Sequence, residues 1–293
     1  MKKLSYALVF FALIVNLPLY GCGIGGLLTA TNWPKKRVMI MNAHDLTGLG
    51  LNRAAETVSE GLAEHLKKTG FFYVFRNTTE QPPFFEPGEP IPTELLRHAN
   101  DMGMNAIIFE TINPMEITPT TSGLWPFRKK ARMFRVSINL DIVDARRRTL
   151  LLSKEFAHSA TVKGEGAEDE NEGHPGGETE KRILLDQIQK VIKKAAETAS
   201  NSLNHEIWTG TIVSIDAQQI TVNAGEDVGL KPGVVLEVYA YGEPITSWKD
   251  QTYHLPGKKV GEIKTVRIES RHSIATPLNS SGFKAGQTVK IKD

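Results

Sequence analysis

Cys22 is the residue whose position in this chain most strongly indicates a chemical reaction. It is the only cysteine among 293 residues, so no disulfide can form within the chain. Two lysines open the sequence, residues 4–17 (LSYALVFFALIVNL) are almost wholly apolar, and Gly21 directly precedes Cys22. A cationic start, an apolar run and a small residue before the cut are typical of a secretory signal peptide. The run is shorter than the roughly 20 residues that span a bilayer. We therefore predict cleavage after Gly21.

The end of this leader resembles the lipobox of bacterial lipoproteins, with Leu19 at position minus three, Gly21 at minus one and Cys22 as the acceptor. The resemblance implies removal of residues 1–21, thioether lipidation of Cys22 and acylation of the new amino terminus with chains such as palmitate. Several acyl chains, at about 0.8 kcal/mol per buried methylene, make a stable anchor. Gly23 after the cysteine implies the outer membrane, with the protein facing the periplasm. The alternative is an ordinary signal peptide with a chance cysteine.

The charge balance of the mature chain argues against nucleic-acid binding. Removing residues 1–21 takes away two lysines, which leaves 33 basic residues against 33 acidic residues. A formally neutral chain lacks the positive field that nucleic-acid-binding proteins use. Nucleic acid is therefore not an expected partner.

Two stretches come close to ligand-binding motifs but lack essential residues. Gly48 and Gly50 lie where a dinucleotide fingerprint would begin, but Arg53 replaces its third glycine. The acidic residues 164–180 suggest a calcium loop, but His174 stands where an EF-hand needs glycine. The histidines show no zinc-site spacing, and no GxSxG nucleophile motif occurs. We expect no catalytic residue, no cofactor and no metal, and we do not expect an enzyme.

Hydrophobic patterning divides the rest of the chain into a tether, residues 22–36, and two domains. In residues 37–205 strand-like runs alternate with helical stripes, which predicts a mixed α/β sandwich. In residues 206–293 five or six short strands occur with no helix, which predicts a small, partly open barrel. The expected fold class is therefore α+β. The expected strands of the first domain are 37–42, 71–76, 105–112, 133–143 and 150–162, and its expected helices are 51–66, 93–102 and 182–205.

Three connecting segments of the first domain are expected to be loops. Residues 81–92 carry five prolines. Residues 113–130 are polar and contain further prolines. Residues 164–180 contain seven acidic residues and no large apolar one, so they should form a mobile loop. The helix after them is expected to pack onto the uncovered face of the first sheet.

Two basic clusters lie at opposite ends of the predicted strand 133–143. The second consists of the three arginines at 146–148. The first lies beside Trp125 and Phe127, and such a combination can contact anionic lipid headgroups or a protein partner. A solvated loop is the alternative. The candidate interaction surface consists of Arg128, Lys129, Lys130 and Arg132.

Several phrases resemble known envelope proteins. Residues 37–205 are similar to one α/β domain. The similarity is carried by RVMIMN, by the run LNRAAETVSEGLAEHLKKTG before FFYVFRN, by ANDMGMNAIIFETI and by FRVSINLDIVDARRRTLLLSKEF. That domain is shared by the curli secretion channel lipoprotein, the penicillin-binding-protein activator lipoproteins and the amino-terminal part of TolB. Residues 206–293 are similar to the C-terminal domain of the flagellar assembly protein T. The similarity is carried by GTIVSIDAQQITVN, GEDVGLKPGVVLEVYAYGE and VGEIKTVRIES.

These resemblances imply a non-catalytic envelope assembly or scaffolding factor, acting in flagellar basal-body ring assembly. The alternative is an activator of peptidoglycan synthesis or a secretion-channel lipoprotein. A channel subunit needs a long amphipathic hairpin, which residues 113–130 are not expected to supply. The expected partners are the membrane, through lipidated Cys22, and envelope proteins of the flagellar basal body or the peptidoglycan machinery. Other copies of the chain are a further expected partner.

Overall fold

The computed structural model describes residues 33–48, 52–77, 91–163, 178–246, 252–255, 257–279 and 282–292. The signal peptide, Gly21, Cys22 and most of the predicted tether lie outside these residues. So do most of the predicted proline-rich and acidic loops. The described part from Trp33 onward forms one compact unit.

A seven-stranded sheet forms the first part of this unit. β1 lies between β3 and β4 and pairs in parallel with both, whereas β4 pairs antiparallel with β6. β5 continues along the same edge of β6, and β7 pairs with the other edge. β2 adds a short parallel bridge to β4. The strands are β1 (Lys36–Met41), β2 (His44–Asp45), β3 (Phe72–Asn77), β4 (Ala106–Ile112), β5 (Glu116–Ser122), β6 (Lys129–Asp144) and β7 (Leu150–Lys163).

Helices cover both faces of the sheet. They are α1 (Asn52–Lys68), α2 (Thr93–Asp101) and α3 (Glu178–His205). Val58, Leu62 and Leu66 are buried at helical spacing and pack α1 against the sheet and against α3. α3 lies beside α1 on the same face, over β6 and β7. A Cβ at Gly61 would lie 3.0 Å from Ile192, so the missing side chain lets the two helices approach closely. α2 packs against the opposite face of the sheet. The arrangement is the α/β sandwich that the patterning predicts.

A closed six-stranded barrel follows, in the order β10-β13-β14-β9-β8-β15. The prediction of a partly open barrel is wrong on this point, because β15 pairs with β8 on one side and β10 on the other. A separate two-stranded ribbon, β11 (Pro244–Thr246) with β12 (Thr252–His254), occurs between β10 and β13 in the sequence. The barrel strands are β8 (Thr209–Asp216), β9 (Gln219–Val222), β10 (Val235–Tyr239), β13 (Lys259–Ile268), β14 (Ser273–Pro277) and β15 (Thr288–Ile291).

The predicted fold class, an α+β protein with a small all-β part, is confirmed. Two segment predictions are wrong. Residues 113–130 are not a plain loop, because β5 and the start of β6 pair there as a hairpin. The helix expected to begin at residue 182 begins at Glu178, inside the predicted acidic loop. No helix among the described residues has the length and apolar character that crossing a membrane requires.

Candidate functional site

The predicted basic cluster lies at the end of the β5–β6 hairpin. Arg128 directly precedes β6, and the other three cations are in its first four residues, opposite β5. Side chains alternate along a strand, so Lys129 projects from one face and Lys130 and Arg132 from the other. Arg128, Lys129 and Lys130 are exposed, and Arg132 is half-buried. The cations therefore surround the end of the hairpin instead of forming a patch on one side.

Three large apolar side chains form the tip of this hairpin. Leu124, Trp125 and Phe127 are 86%, 81% and 82% exposed. The turn is closed by the Phe127 N–H, which donates to the Leu124 carbonyl at 2.7 Å. Gly123 has φ +114°, and a Cβ there would lie 2.9 Å from the Phe127 carbonyl oxygen. The turn therefore requires glycine at this position.

The sequence prediction placed Trp125 and Phe127 beside the cations but missed Leu124. The signal for it was available, because the run Gly-Leu-Trp-Pro-Phe combines turn residues with apolar ones. Such a run is typical of an exposed turn. We call Leu124, Trp125 and Phe127 the apolar tip.

Within the hairpin, the residues that flank the apolar tip carry only positive charge. The sequence contains no acidic residue from Ile117 to Phe134. Glu116, at the base of the hairpin, pairs with Arg135 at 3.0 Å. In the part of the chain that the structure describes, none of the four predicted cations forms an ion pair. The cluster thus keeps its positive charge beside three exposed apolar side chains.

The second basic cluster, 146–148, has a structural role. The Arg146 guanidinium donates to the carbonyl of Gly210 at 3.0 Å, the hydroxyl of Thr211 at 2.7 Å and the carbonyl of Gly286 at 2.7 Å. Burial lowers the pKa of Arg146, and its interactions with Tyr241 oppose this. Arg146 therefore joins the β6–β7 turn to the barrel.

The same turn is held from the side by an ion-pair cluster. The Nε of Arg147 donates to Asp144 at 2.9 Å, and its guanidinium also pairs with Glu206 at the end of α3. Burial tends to lower the pKa of Arg147, but Asp144 and Glu206 raise it overall.

Two further side chains of the sheet contact the barrel. Arg37 of β1 donates to Asp227 from Nε at 3.0 Å and from Nη2 at 2.7 Å, and it also contacts the Asn223 carbonyl. Both side chains of the ion pair are nearly buried, at 8% and 13% exposure. Asn105, before β4, donates to the Thr209 carbonyl at 2.8 Å. Together with Arg146, these two residues form what we call the clasp.

A cleft of about 240 Å³ opens beside the clasp. The β6–β7 turn, the end of α3 and the barrel all line it. Its charged groups already have contacts: Arg147 pairs with Asp144 and Glu206, and Lys290 lies 4.5 Å from the centre of the Tyr239 ring. Its wall includes the exposed apolar side chains of Ile207 and Leu255.

Glu110 is a buried carboxyl group on β4. It is 3% exposed, and its Oε2 has no hydrogen-bond partner among the described residues. Burial raises the pKa of Glu110 to about 8, against the opposing effects of a hydrogen bond with Ser59 and the charge of Arg76. The sequence prediction did not single out this residue, because it stands inside the apolar run NAIIFETI.

The remaining site predictions are untested. Cys22 and Gly21 lie outside the described residues, so lipidation and cleavage stay predictions. Among the residues that the structure describes, no group of three or more His, Cys, Asp or Glu side chains could hold a metal ion.

No protein-family model matches this sequence. No curated protein sequence matches it either. Among solved structures, the chain is similar to a hypothetical protein of Chlamydia trachomatis, with 14% identity and a TM-score of 0.39 over 59% of this chain and 99% of that one. It is similar to lipoprotein GNA1162 of Neisseria meningitidis, with 15% identity and a TM-score of 0.30 over 55% and 99%. It is also similar to a minor lipoprotein of Acinetobacter baumannii, with 11% identity and a TM-score of 0.28 over 59% and 94%. Such values do not assign the chain to a family.

Proposed function

We propose that this chain is a lipid-anchored protein of the bacterial outer membrane that faces the periplasm and acts as a non-catalytic assembly or scaffolding factor. The anchoring part of the proposal is supported by the leader that ends in Gly21-Cys22. Acylation of the only cysteine would hold the folded part beside a membrane.

The clasp is the observation that supports a scaffolding role. Arg37 and Arg146, two cations that could otherwise serve a reaction, are used to bind the barrel. Their partners are mainly backbone carbonyls and one carboxylate, Asp227, so the contacts fix the sheet against the barrel. A protein that holds two binding elements at a fixed separation is suited to assembling other components.

The proposed place of action is the assembly of the flagellar basal-body ring. The support is the resemblance of residues 206–293 to the C-terminal domain of the flagellar assembly protein T, carried by phrases such as GLKPG before an apolar strand. The barrel offers exposed apolar side chains for a partner, including Val213, Ile215 and Val266, which are 48%, 38% and 50% exposed.

The secretion-channel role and the activation of peptidoglycan synthesis are the alternative candidate functions. A hairpin does form within residues 113–130, but β5 pairs with β6 over only seven residues and has one large apolar side chain, so it is not the long amphipathic hairpin that a channel subunit needs. The candidates differ in phenotype. A deletion strain should lose motility if the chain assembles flagella, lose secretion of a substrate protein if it serves a channel, and become sensitive to cell-wall antibiotics if it activates peptidoglycan synthesis.

Anchoring is tested first, by labelling cells with radioactive palmitate. The wild-type chain should incorporate the label, and the Cys22→Ser variant should not, because it lacks the acceptor thiol. Label retained in the variant would contradict anchoring at this residue.

Scaffolding is tested with a photo-crosslinking amino acid at Val213 on the barrel, in cells that express the full chain. The same amino acid at Lys193, an exposed residue of α3, is the matched control. Crosslinks to a defined envelope protein from Val213 alone would support the proposal. The proposal would be contradicted by two results together. These are the absence of crosslinks from both positions and a deletion strain that shows none of the three phenotypes.

A further inference from the structure

We propose that the apolar tip of the β5–β6 hairpin is a second membrane-contact element, which inserts Leu124, Trp125 and Phe127 into the interface of a lipid bilayer. The inference deepens the proposed function, because it assumes that Cys22 anchors the chain. It assigns one ligand class, the phospholipid bilayer, to a surface for which the sequence left lipid headgroups, a protein partner and a solvated loop open.

The exposure of the tip is the first argument. Three large apolar side chains, each more than four-fifths exposed, stand together on a single turn. Clustered exposed apolar groups indicate an interaction site, whereas isolated ones do not. The turn is also well defined, since Gly123 and the bond from the Phe127 N–H to the Leu124 carbonyl fix its shape. The three side chains are therefore presented together.

The chemistry of the tip favours a bilayer over a protein groove. Tryptophan prefers the boundary between headgroups and acyl chains, and leucine and phenylalanine are stable in the acyl region. Cations around an inserted turn lie at the depth of the lipid phosphates, where anionic lipid attracts them. A turn inserted into a bilayer has lipid headgroups on all sides. The cations lie on both faces of the hairpin, as this environment requires; they are Arg128, Lys129, Lys130 and Arg132.

The length of the chain before the described residues is the third argument. Ten residues lie between Cys22 and Trp33, and this stretch reaches at most about 40 Å when fully extended. An anchor with this reach keeps the tip at high effective concentration near the bilayer, so even weak insertion becomes significant.

The tip lies at one end of β6 and the clasp at the other, about 50 Å apart along sixteen residues. Trp33 is near the clasp end, since Lys35 hydrogen-bonds Val228 of the barrel segment. Both contacts can engage one bilayer when β6 is inclined to its surface with the hairpin end lowest, because the reach of about 40 Å lets Trp33 stand above the bilayer.

The test uses the full, lipidated chain reconstituted in vesicles made with brominated phosphatidylcholine, which quenches tryptophan fluorescence only within the bilayer. The chain has four tryptophans, so the spectrum of Trp125→Phe is subtracted from that of the wild type to isolate Trp125. We expect this component to be shifted to shorter wavelength and quenched by about half or more, as an interfacial tryptophan would be. A Leu124→Ser/Phe127→Ser variant, which keeps Trp125, should lose most of the quenching.

Two charge variants separate the contribution of the cations. Arg128→Glu/Lys129→Glu/Lys130→Glu should lower the quenching in vesicles with about one-third anionic lipid and change it less in neutral vesicles. Lys193→Glu/Lys194→Glu, on the exposed face of α3, is the matched control and should behave as wild type. Five acidic residues occur in 164–177, directly after β7 in the sequence. Because an anionic bilayer would repel them while it attracts the cations, neutral vesicles are needed as the comparison.

The outcomes distinguish the tip from the anchor. A chain that does not float with the vesicles would contradict anchoring at Cys22. A chain that floats while its Trp125 component is unquenched and accessible to iodide would overturn membrane insertion of the tip and leave the anchor intact. If Trp125 becomes protected only in native envelope membranes, the occupant of the tip is a protein, and the bilayer proposal is again overturned.

Discussion

Replacing Glu110 by glutamine is expected to remove a loss of stability that the wild-type protein undergoes as pH rises. The carboxyl group is buried on β4, and burial raises its pKa from the ordinary 4.5 to about 8. Between these two values the folded chain holds the proton, whereas the unfolded chain releases it. Raising the pH therefore favours the unfolded chain, and the stabilising effect of the neutral group is lost as pH rises toward 8.

The magnitude follows from one proton per molecule. Each pH unit in this window lowers the free energy of unfolding by about 1.4 kcal/mol, so about 3 kcal/mol is lost between about pH 5.5 and about pH 7.5. Glutamine has nearly the same volume and no proton to release. Glu110→Gln should therefore be close to the wild type in stability at about pH 5 and more stable by about 3 kcal/mol near pH 7. A substitution at a buried polar position that stabilises the fold would be unusual.

The measurement is urea unfolding, followed by tryptophan fluorescence and circular dichroism, at a series of pH values across this window. Other carboxyl groups titrate in both proteins, among them Asp141, whose pKa burial also raises, so only the difference between the two curves reports on Glu110. Glu56→Gln, at an exposed position of α1, is the control and should follow the wild-type curve. Parallel curves for the wild type and Glu110→Gln would refute the reasoning.

Two other variants test the clasp and the tip. Arg37→Met should lower the free energy of unfolding by about 3 kcal/mol, because it leaves Asp227 without its nearly buried partner. The control, Arg97→Met, breaks only exposed ion pairs on α2 and should leave the free energy of unfolding nearly unchanged in the same urea titration. A similar loss in both variants would show that the clasp contributes little. Gly123→Ala should disturb the tip turn while leaving global stability within about 1 kcal/mol, since the hairpin end is exposed. The observable is increased iodide quenching or altered anisotropy of Trp125, and an unchanged Trp125 signal would contradict the requirement for glycine.

The sequence predicted the elements whose stability comes from a regular apolar pattern. α1 could be read from Val58, Leu62 and Leu66, because helical spacing of buried residues is a local signal. β5 could not, since its sequence EITPTTS has Pro119 and only one large apolar residue. It is a strand because β6 supplies its pairing partners, which is a tertiary effect.

The functional surfaces divide in the same way. The four cations and two aromatic residues of the tip are neighbours in sequence, so their proximity was visible there. The clasp was not, because Arg37 and Asp227 are 190 residues apart and Arg146 and Gly286 are 140 apart. The arginines at 146–148 form a basic cluster in the sequence, and only the tertiary structure shows that the barrel packs on Arg146. Glu110 was hidden because one acidic residue in an apolar strand leaves no pattern to detect.

The continuity of β6 gives the molecule a mechanical property. A pull on the hairpin end, directed along the strand, would load the hydrogen bonds from β6 to β4 and β7 in shear, so that many bonds resist together. Since the same strand leads into the turn that carries Arg146, tension would pass along the backbone to the barrel instead of peeling the sheet apart. The hairpin and the barrel would then be the two ends between which tension is transmitted while the chain stays folded.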